Sequence, residues 1–224
     1  MRDSLTIARS ELILGGQRSG KSRRAELLAR TWLAASAQHK AVLIATGQAR
    51  DEEMRERIAQ HQRDRAERVS GMQTVEEPLL LADAIQAHSQ SDTLLVVDCL
   101  TLWLTNWLMP ASPHPSPLPE GEGTRANSLP EGEGMNSSLS LWERAGVRAS
   151  GLPDQIAALQ QILRTAPGPI VLVSNEIGLG VIPMGPDVRA FVDALGRLNQ
   201  EVAQVCERVT LMAAGLPLVM KGVV

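Results

Sequence analysis

The residues with the clearest chemical potential lie near the start of the chain. Gly15, Gly20, Lys21 and Ser22 satisfy the spacing G-x-x-x-x-G-K-[ST], after an apolar stretch and at the start of an amphipathic one. Small residues let successive backbone N–H groups surround a phosphate at the positive end of a helix, while the lysine reaches the terminal phosphates. The motif therefore predicts a phosphate-binding loop for a nucleoside triphosphate, with Lys21 as a catalytic group. Its predicted nucleotide contacts are Gly15, Gly16, Gln17, Arg18, Ser19, Gly20, Lys21 and Ser22.

A loop of this kind needs a second carboxylate to organise Mg²⁺, usually at the end of a buried strand. Asp98 closes the apolar run "TLLVVD" at 93–98. Ser22 and Asp98 are thus the predicted metal ligands, and a plain strand-end cap is the alternative for Asp98. The chain carries no Asn-Lys-x-Asp motif for reading a guanine base, which argues against a regulatory GTPase.

A histidine lies in the charged segment "DEEMRERIAQHQRDR" at 51–65. Met54, Ile58 and His61 are spaced i, i+4 and i+7, which places them on one face of a helix. The two arginines that follow within "QRDR" could receive phosphate oxygens. A neutral imidazole, available near pH 7 from a reference pKa of about 6.5, could then attack an α-phosphate. A hydrogen-bonded packing role is the alternative for His61.

The elements that must position these groups follow from hydrophobic patterning. Short runs rich in Val, Ile and Leu predict buried strands, and longer amphipathic stretches between them predict helices. Their alternation predicts an α/β fold of the P-loop NTPase type, with a mainly parallel sheet, helices on both faces and a C-terminal hairpin strand formed through the Gly-Leu-Pro turn of "AGLPLVMKG". The predicted strands are 11–15, 41–45, 93–98, 170–175 and 209–213, and the predicted helices are 21–36, 51–67, 77–88, 99–109, 153–165 and 187–207.

One segment departs from this pattern. Residues 110–150 are rich in Pro, Gly, Ser and Glu, and "LPEGEG" occurs there twice. Such composition predicts a disordered or loosely ordered insertion. A surface loop without chemistry and a partner-binding segment are both open interpretations. The length of 224 residues otherwise predicts a single nucleotide-binding domain over 1–224.

Composition limits the partners. A formal charge of −3, from 22 basic and 25 acidic residues, gives no electrostatic footprint for nucleic acid or an anionic membrane. We therefore expect a small-molecule partner. No apolar run is long enough for a membrane span, and Cys99 and Cys206 form no CxxC motif. Two reduced core thiols and a cytoplasmic location are the expectation.

The ordered motifs together resemble one family. "GGQRSGKS", "IATGQARDEEMRERIAQHQRDR", "TVEEPLLL", "VVDCLTLWLTN", "VSNEIGLGVIP", "RAFVDALGRLNQEVAQ" and "AAGLPLVMKG" are similar to the bifunctional adenosylcobinamide kinase/adenosylcobinamide-phosphate guanylyltransferases of cobalamin biosynthesis. The resemblance covers nearly the whole chain outside the first ten residues and the 110–150 insertion. It implies phosphorylation of the corrinoid adenosylcobinamide by ATP or GTP, followed by transfer of GMP from GTP with release of pyrophosphate.

The resemblance also implies roles for particular residues. His61 would be the residue that carries GMP. Beyond the phosphate-binding loop, the implied nucleotide contacts are Thr46, Gly47, Gln48, Gln62, Arg63, Asp64, Arg65, Glu76 and Asp98. Mg²⁺ is the only metal that the protein itself would need, because the cobalt arrives inside the substrate.

Several interpretations stay open at this stage. Relatives imply a homo-oligomer, a trimer, and Trp103 and Trp107 fit either a subunit contact or the chain's own core. Met72 stands where many relatives have tryptophan, and "GLGVIP" at 178–183 fits a substrate-side or subunit contact better than a plain turn. The competing functions are a P-loop kinase of another small alcohol and a catalytically silent nucleotide-binding subunit.

Overall fold

The structure is a computed structural model that describes residues 5–49, 52–109 and 151–222. Within this part of the chain, seven strands form one sheet in the order β3-β2-β4-β5-β1-β6-β7. All neighbouring pairs are parallel except β6 and β7, which are antiparallel. The strands are β1 (Ser10–Gly15), β2 (Lys40–Ala45), β3 (Met72–Glu76), β4 (Thr93–Asp98), β5 (Ile170–Asn175), β6 (Arg208–Ala213) and β7 (Leu216–Lys221).

Helices connect the parallel strands, as the alternating pattern predicts. Two of them begin with a proline in their first turn, where the missing N–H costs nothing because that group has no partner within the helix. The helices are α1 (Lys21–Ala35), α2 (Glu52–Arg68), α3 (Leu81–His88), α4 (Leu100–Leu108), α5 (Leu152–Thr165) and α6 (Pro186–Val205). The α/β fold, with a mainly parallel sheet and a C-terminal hairpin, is confirmed.

The central strands are buried on both faces, so each contributes to two hydrophobic clusters. Leu12 and Leu14 of β1 pack with α3 to α6 on one face. Ile13, between them, packs on the other face with Ala25 and Leu28 of α1. This alternation is the period-2 geometry of a strand, and it explains why apolar residues occur at successive positions of the strands.

The connections that leave the neighbouring strands β1 and β5 run in opposite directions across the sheet. From β1 the chain passes over β5 and β4 to reach β2, and later it passes from β5 over β1 to reach β6. Open α/β sheets bind ligands outside the carboxyl ends of the strands at such a reversal point. The loop Gly15–Ser22, which we call the phosphate loop, leaves β1 at this place.

Three local features differ from the sequence-based expectations. Strand β3 was not predicted, because "MQTVE" is only five residues long, alternates few apolar residues with polar ones and has no buried side chain. Helix α3 begins at Leu81 rather than 77, because Pro78 interrupts the chain and the Glu77 carboxylate accepts the backbone N–H groups of Leu79 and Leu80, both at 2.7 Å. The hairpin turn is Ala214–Gly215, one position before the predicted Gly-Leu-Pro, and both residues have positive φ.

The tryptophans of α4 are part of the chain's own core. Trp103 is 0% exposed, and its indole N–H donates to the carbonyl oxygen of Leu79 at 2.8 Å. Trp107 donates to the same oxygen at 3.3 Å. Met72 is half-buried and packs beside the α1 cluster. Of the two interpretations, a subunit contact and the chain's own core, the structure shows the core. Both indoles pack there and donate hydrogen bonds to the segment before α3.

The structure also bears on the expectations for the cysteines, for membrane spans and for the insertion. Cys99 and Cys206 are buried free thiols, as expected, and burial raises the pKa of each to about 12. None of the helices in the described ranges is long and apolar enough to cross a membrane. The insertion at 110–150 lies outside the described residues, so its predicted disorder and the single-domain assignment stay predictions.

Candidate nucleotide-binding and catalytic site

The phosphate loop has a backbone shape that few residue types permit. Gly15 and Gly20 have φ values of 152° and 102°, and Arg18 between them has a φ of 55°. A Cβ on Gly15 would lie 2.5 Å from both the carbonyl oxygen of Met212 and the hydroxyl oxygen of Ser19. Glycine at position 15 therefore satisfies a left-handed conformation and a close approach to β6 at once.

Two neighbouring segments hold carbonyl oxygens of the loop from outside. The N–H of Glu176, just after β5, donates to the Gly15 oxygen at 3.1 Å, and the N–H of Gly215 in the hairpin turn donates to the Ser19 oxygen at 3.0 Å. In a trans peptide the N–H points opposite to the C=O. These two contacts therefore direct the N–H groups of Gly16 and Gly20 away from β5 and the hairpin turn, which is the arrangement of an anion-binding nest.

Lys21 is folded back onto the loop. Its Nζ donates to the carbonyl oxygen of Gly16 at 2.7 Å, and the residue is 8% exposed. Burial lowers the pKa of Lys21 below the usual range of a lysine, while the nearby Cys99 and Asp98 side chains act in the opposite sense. Among the described residues this carbonyl is the partner of the Lys21 ammonium. A buried ammonium group held in this way can exchange a carbonyl for phosphate oxygens, which would stabilise its charge.

The two predicted metal ligands lie together. The Ser22 hydroxyl, in the first turn of α1, donates to Oδ2 of Asp98 at the end of β4 at 3.1 Å. Mg²⁺ is usually held by one or two protein oxygens together with substrate phosphates and water. A hydroxyl and a carboxylate oxygen at this spacing, next to the phosphate loop, fit that requirement. Among the described residues no cluster of three or more His, Cys, Asp or Glu side chains could hold a metal ion.

The turn after β2 is tied to the end of β4. Thr46 is fully buried, and its hydroxyl donates to the Cys99 carbonyl oxygen at 2.7 Å and accepts the Cys99 N–H at 2.9 Å. Its own carbonyl oxygen accepts from the Asn106 side chain at 2.8 Å. Thr46 thus holds the strand end that carries Asp98, a role that the sequence did not reveal, and its contact with a nucleotide stays a prediction.

The polar residues around Thr46 are more accessible. Gly47 is half-buried, Gln48 is exposed, and Glu76 is exposed at the carboxyl end of β3, where Ala45 is its partner in the ladder. Because β2, β3 and β4 are parallel neighbours, their carboxyl ends lie at one edge of the sheet together with the phosphate loop. The structure therefore brings these predicted contacts to the same edge as Lys21.

Helix α2 carries the candidate nucleophile. His61 and Asp64 lie within its helical span, as the pattern predicts, although only the backbone is described at these two positions. Gln62 and Arg63 are exposed, Arg65 is half-buried, and Arg63 donates to Gln60 on the same helix at 2.9 Å. The predicted helix is confirmed, and the role of His61 stays a prediction.

The loop after β5 contains contacts that sequence reasoning missed. The N–H of Asn175 donates to the Thr101 hydroxyl at 2.9 Å, and the Asn199 side chain donates to the Asn175 carbonyl oxygen at 3.0 Å. Beyond this fixed point five large apolar side chains are exposed, namely Ile177, Leu179, Val181, Ile182 and Met184. Threonine and asparagine inside helices give no local signal of such a role, because the partner backbone lies far along the chain.

The fold and the site define a class. A glycine-rich loop between the first strand and the first helix, with a lysine, a hydroxyl and a strand-end carboxylate gathered beside it, is the arrangement of a P-loop nucleotide-binding protein. The described edge of the sheet offers further polar groups beside that loop. Which member of the class this chain represents follows from comparison with known proteins.

A family model described as "Cobinamide kinase / cobinamide phosphate guanyltransferase" matches residues 11–220. The bifunctional adenosylcobalamin biosynthesis protein CobP of Pseudomonas aeruginosa is 42% identical over 213 residues, which is 95% of this chain and 97% of that protein. The proteins CobU of Escherichia coli and Salmonella typhimurium are each 30% identical over 205 residues, 92% of this chain and 96% of theirs. The chain belongs to this family of cobinamide kinase/guanyltransferases of cobalamin biosynthesis, as the resemblance predicted.

A solved structure also aligns with the chain. The flagellar accessory protein FlaH from Methanocaldococcus jannaschii matches with a TM-score of 0.46 and 10% identity, covering 96% of this chain and 79% of that one. A similarity at this level carries no argument about activity.

Proposed function

We propose that the protein phosphorylates adenosylcobinamide with ATP or GTP and then transfers GMP from GTP to the phosphate it has made, through a guanylyl group on His61. Membership of the family supplies the two activities. The observation that carries the proposal is the gathering of Lys21, Ser22 and Asp98 around one phosphate loop. One site of this kind can serve both reactions, because each of them develops charge on the triphosphate of a nucleotide.

In the kinase reaction the γ-phosphoryl group moves to a hydroxyl of the corrinoid side chain. The acceptor oxygen forms a bond to the γ-phosphorus, the bond from that phosphorus to the β–γ bridging oxygen breaks, and the hydroxyl proton is released. The loop N–H groups of Gly16 and Gly20 and the ammonium of Lys21 would stabilise the charge on the phosphate oxygens. Mg²⁺, held by Ser22 and Asp98, would supply further charge neutralisation between the phosphates.

In the guanylyl transfer the reacting atom is the α-phosphorus of GTP. A neutral imidazole nitrogen of His61 would attack it, and the bond to the α–β bridging oxygen would break, so that pyrophosphate leaves with the electron pair. An oxygen of the corrinoid phosphate would then attack the same phosphorus and displace the histidine. Two inversions give net retention at phosphorus, which distinguishes this route from direct displacement.

The remaining predicted contacts belong to this proposal. All of them lie at the carboxyl edge of the sheet or on α2. The guanosine of a GTP whose phosphates are held by the phosphate loop would extend there. They are Gly15, Gly16, Gln17, Arg18, Ser19, Gly20, Thr46, Gly47, Gln48, Gln62, Arg63, Asp64, Arg65, Glu76 and Asp98. The exposed apolar loop 177–184 is proposed as a substrate-side or subunit contact, because large apolar side chains at such exposure gain free energy when covered. Assembly as a homo-oligomer is part of the same proposal.

Labelled GTP tests the covalent step directly. Protein incubated with Mg²⁺ and GTP labelled at the α-phosphate, then denatured, should retain label that is labile in acid and stable in base. We expect His61→Ala to lose that label completely. His88→Ala, at a half-buried histidine that ends α3, is the matched control and should keep it.

The alternatives predict other outcomes of the same assay. Phosphorylation of another small alcohol in place of the corrinoid, without retained label, would indicate a P-loop kinase of that alcohol. Binding of GTP with neither label nor product would indicate a silent nucleotide-binding subunit. Label that survives His61→Ala would place the guanylyl group on another residue and contradict the assignment.

A further inference from the structure

A nearly buried carboxylate joins the two helices that carry the phosphate loop and the candidate nucleophile. Glu26 lies on α1, one helical turn after Ser22, and its side chain is 10% exposed. Its Oε2 accepts from Nη1 of Arg68, the last residue of α2, at 3.0 Å. The adjacent Val69 is buried in the same cluster as Ala25 and Ala29 of α1. The end of α2 is therefore fixed against the first half of α1.

The two helices run in the same direction. Each leaves the carboxyl end of a strand, β1 for α1 and β2 for α2, and each leads back to the amino end of the next strand. Residues of α1 and Val69, the residue that follows α2, lie in one hydrophobic cluster on the same face of the sheet. Because the two helices run in the same direction, the height of a residue above the ion pair can be measured along each helix and compared.

Helical rise then gives the height of position 61. Glu26 is five residues from Lys21, about 7.5 Å along α1, and Arg68 is seven residues from His61, about 10.5 Å along α2. If the Cα atoms of Glu26 and Arg68 are taken as level, position 61 lies about 3 Å nearer the carboxyl edge than Lys21, which is close to the height of the phosphate loop. Positions 61, 65 and 68 also share one face of α2, so the face that contains His61 is the face that meets α1 at Arg68.

We propose that the Glu26–Arg68 ion pair is a positioning contact that sets α2 at the height required for guanylyl transfer to His61. This inference rests on the proposed role of His61. A displacement of about 1 Å at a reacting centre can cost up to about 100-fold in rate. The kinase step uses the phosphate loop and the acceptor hydroxyl, so the ion pair serves the transfer and leaves the first reaction largely unaffected.

The two half-reactions provide the test. We measure the single-turnover rate of label transfer from α-labelled GTP to the protein, and separately the rate of adenosylcobinamide phosphorylation, for Glu26→Gln, Arg68→Gln and the double variant. Each single substitution should slow protein labelling about tenfold and change phosphorylation by less than about twofold. The double variant should label no more slowly than the slower single one, because both substitutions remove the same contact.

Two further variants separate positioning from general destabilisation. Arg68→Lys keeps the positive charge and should label within about threefold of the parent protein. Arg55→Gln removes the ion pair between Arg55 and Glu52 on α2, which joins nothing outside that helix and whose side chains are 60% and 72% exposed. This matched control should leave both rates unchanged.

The outcomes are distinct. Equal slowing of labelling and phosphorylation in the Glu26 and Arg68 variants would show a merely structural contact and overturn the inference. Labelling at the parent rate in both variants would overturn it as well, while leaving the role of His61 intact. A parent protein that takes no label, or label that survives His61→Ala, would overturn the proposed function and this inference together.

Discussion

The phosphate side of the site and helix α2 are built in different ways. Every residue of β1 is buried, and the phosphate loop that follows it is held by β5, by the hairpin turn and by the Ser22–Asp98 contact. On α2, every side chain that the structure describes is exposed or half-buried. The first region is assembled from the interior of the fold, whereas the second is attached at its C-terminal end.

The difference suggests a division of labour between the two reactions. Phosphate binding requires N–H groups and a lysine held in fixed directions, and a buried framework supplies that. By the proposed route, guanylyl transfer additionally requires a group that attacks the α-phosphorus and then presents the guanylyl group to a second, large substrate. A helix anchored at its C-terminal end, whose described side chains are exposed or half-buried, would leave space beside that group for the corrinoid. Substitutions in the two regions should therefore affect the two reactions unequally.

The largest effect is expected at Lys21. Lys21→Met removes the ammonium group that contacts Gly16 in the loop, so both phosphorylation and protein labelling should fall at least about 100-fold. Rates of both half-reactions at saturating GTP check this. Lys40→Met, at a lysine whose side chain is 69% exposed, is the control and should retain both rates. Loss of only one activity from Lys21→Met would mean that the two reactions do not share the phosphate loop.

A smaller effect is expected from the shape of the loop. Gly15→Ala places a methyl group 2.5 Å from the Met212 carbonyl oxygen in a left-handed conformation, and we expect a loss of about 1–3 kcal/mol in the free energy of unfolding. Affinity for GTP should fall about tenfold, since the N–H of Gly16 shifts with the peptide. Urea unfolding and GTP titration measure the two quantities.

Gly16→Ala is the matched control for that stability change. No atom lies within 4 Å of a Cβ at position 16, so its free energy of unfolding should stay within about 0.5 kcal/mol of the parent value. Equal destabilisation by both substitutions would contradict the explanation from close packing against β6.

The sequence predicted the parts of this framework that depend on local pattern. Apolar runs located β1, β2, β4, β5 and β6, because strands buried on both faces are mainly apolar. The spacing of the phosphate loop identified Lys21 and Ser22, and the strand end identified Asp98, which the structure brings together. In each case the chemistry restricts the residue types at neighbouring positions, so the signal lies within a few residues.

Contacts between distant segments could not be predicted in this way. The Gly215 N–H meets the Ser19 carbonyl oxygen only because β6 lies beside β1, and backbone groups leave no mark on the sequence. The family resemblance implied a nucleotide contact for Thr46, but nothing in the sequence indicated that its hydroxyl binds the backbone of Cys99. The strand β3 was missed because an exposed edge strand has no need for apolar residues.

The smallest predicted effect concerns the proton on Lys21. In the protein without nucleotide, burial lowers the pKa of Lys21 below 10.5, the ordinary value of a lysine. The negative charge of a bound triphosphate would raise that pKa again. Between the lowered and the raised pKa, GTP binding must therefore take up a fraction of a proton, so affinity should fall as pH rises through this window. Calorimetric titration at about pH 9, in two buffers with different ionisation enthalpies, measures that uptake.

The sign of the effect on stability is opposite and can be measured separately. Between the lowered pKa and 10.5, the unfolded chain binds more protons at Lys21 than the folded protein does. The contribution of Lys21 to the free energy of unfolding therefore rises with pH in that window, and Lys21→Met should remove this slope while Lys40→Met keeps it. If the free energy of unfolding of Lys21→Met rises with pH as steeply as that of the parent protein, the Lys21 ammonium is not the source of the slope. The buried framework, rather than α2, is where protonation and nucleotide binding are expected to be coupled.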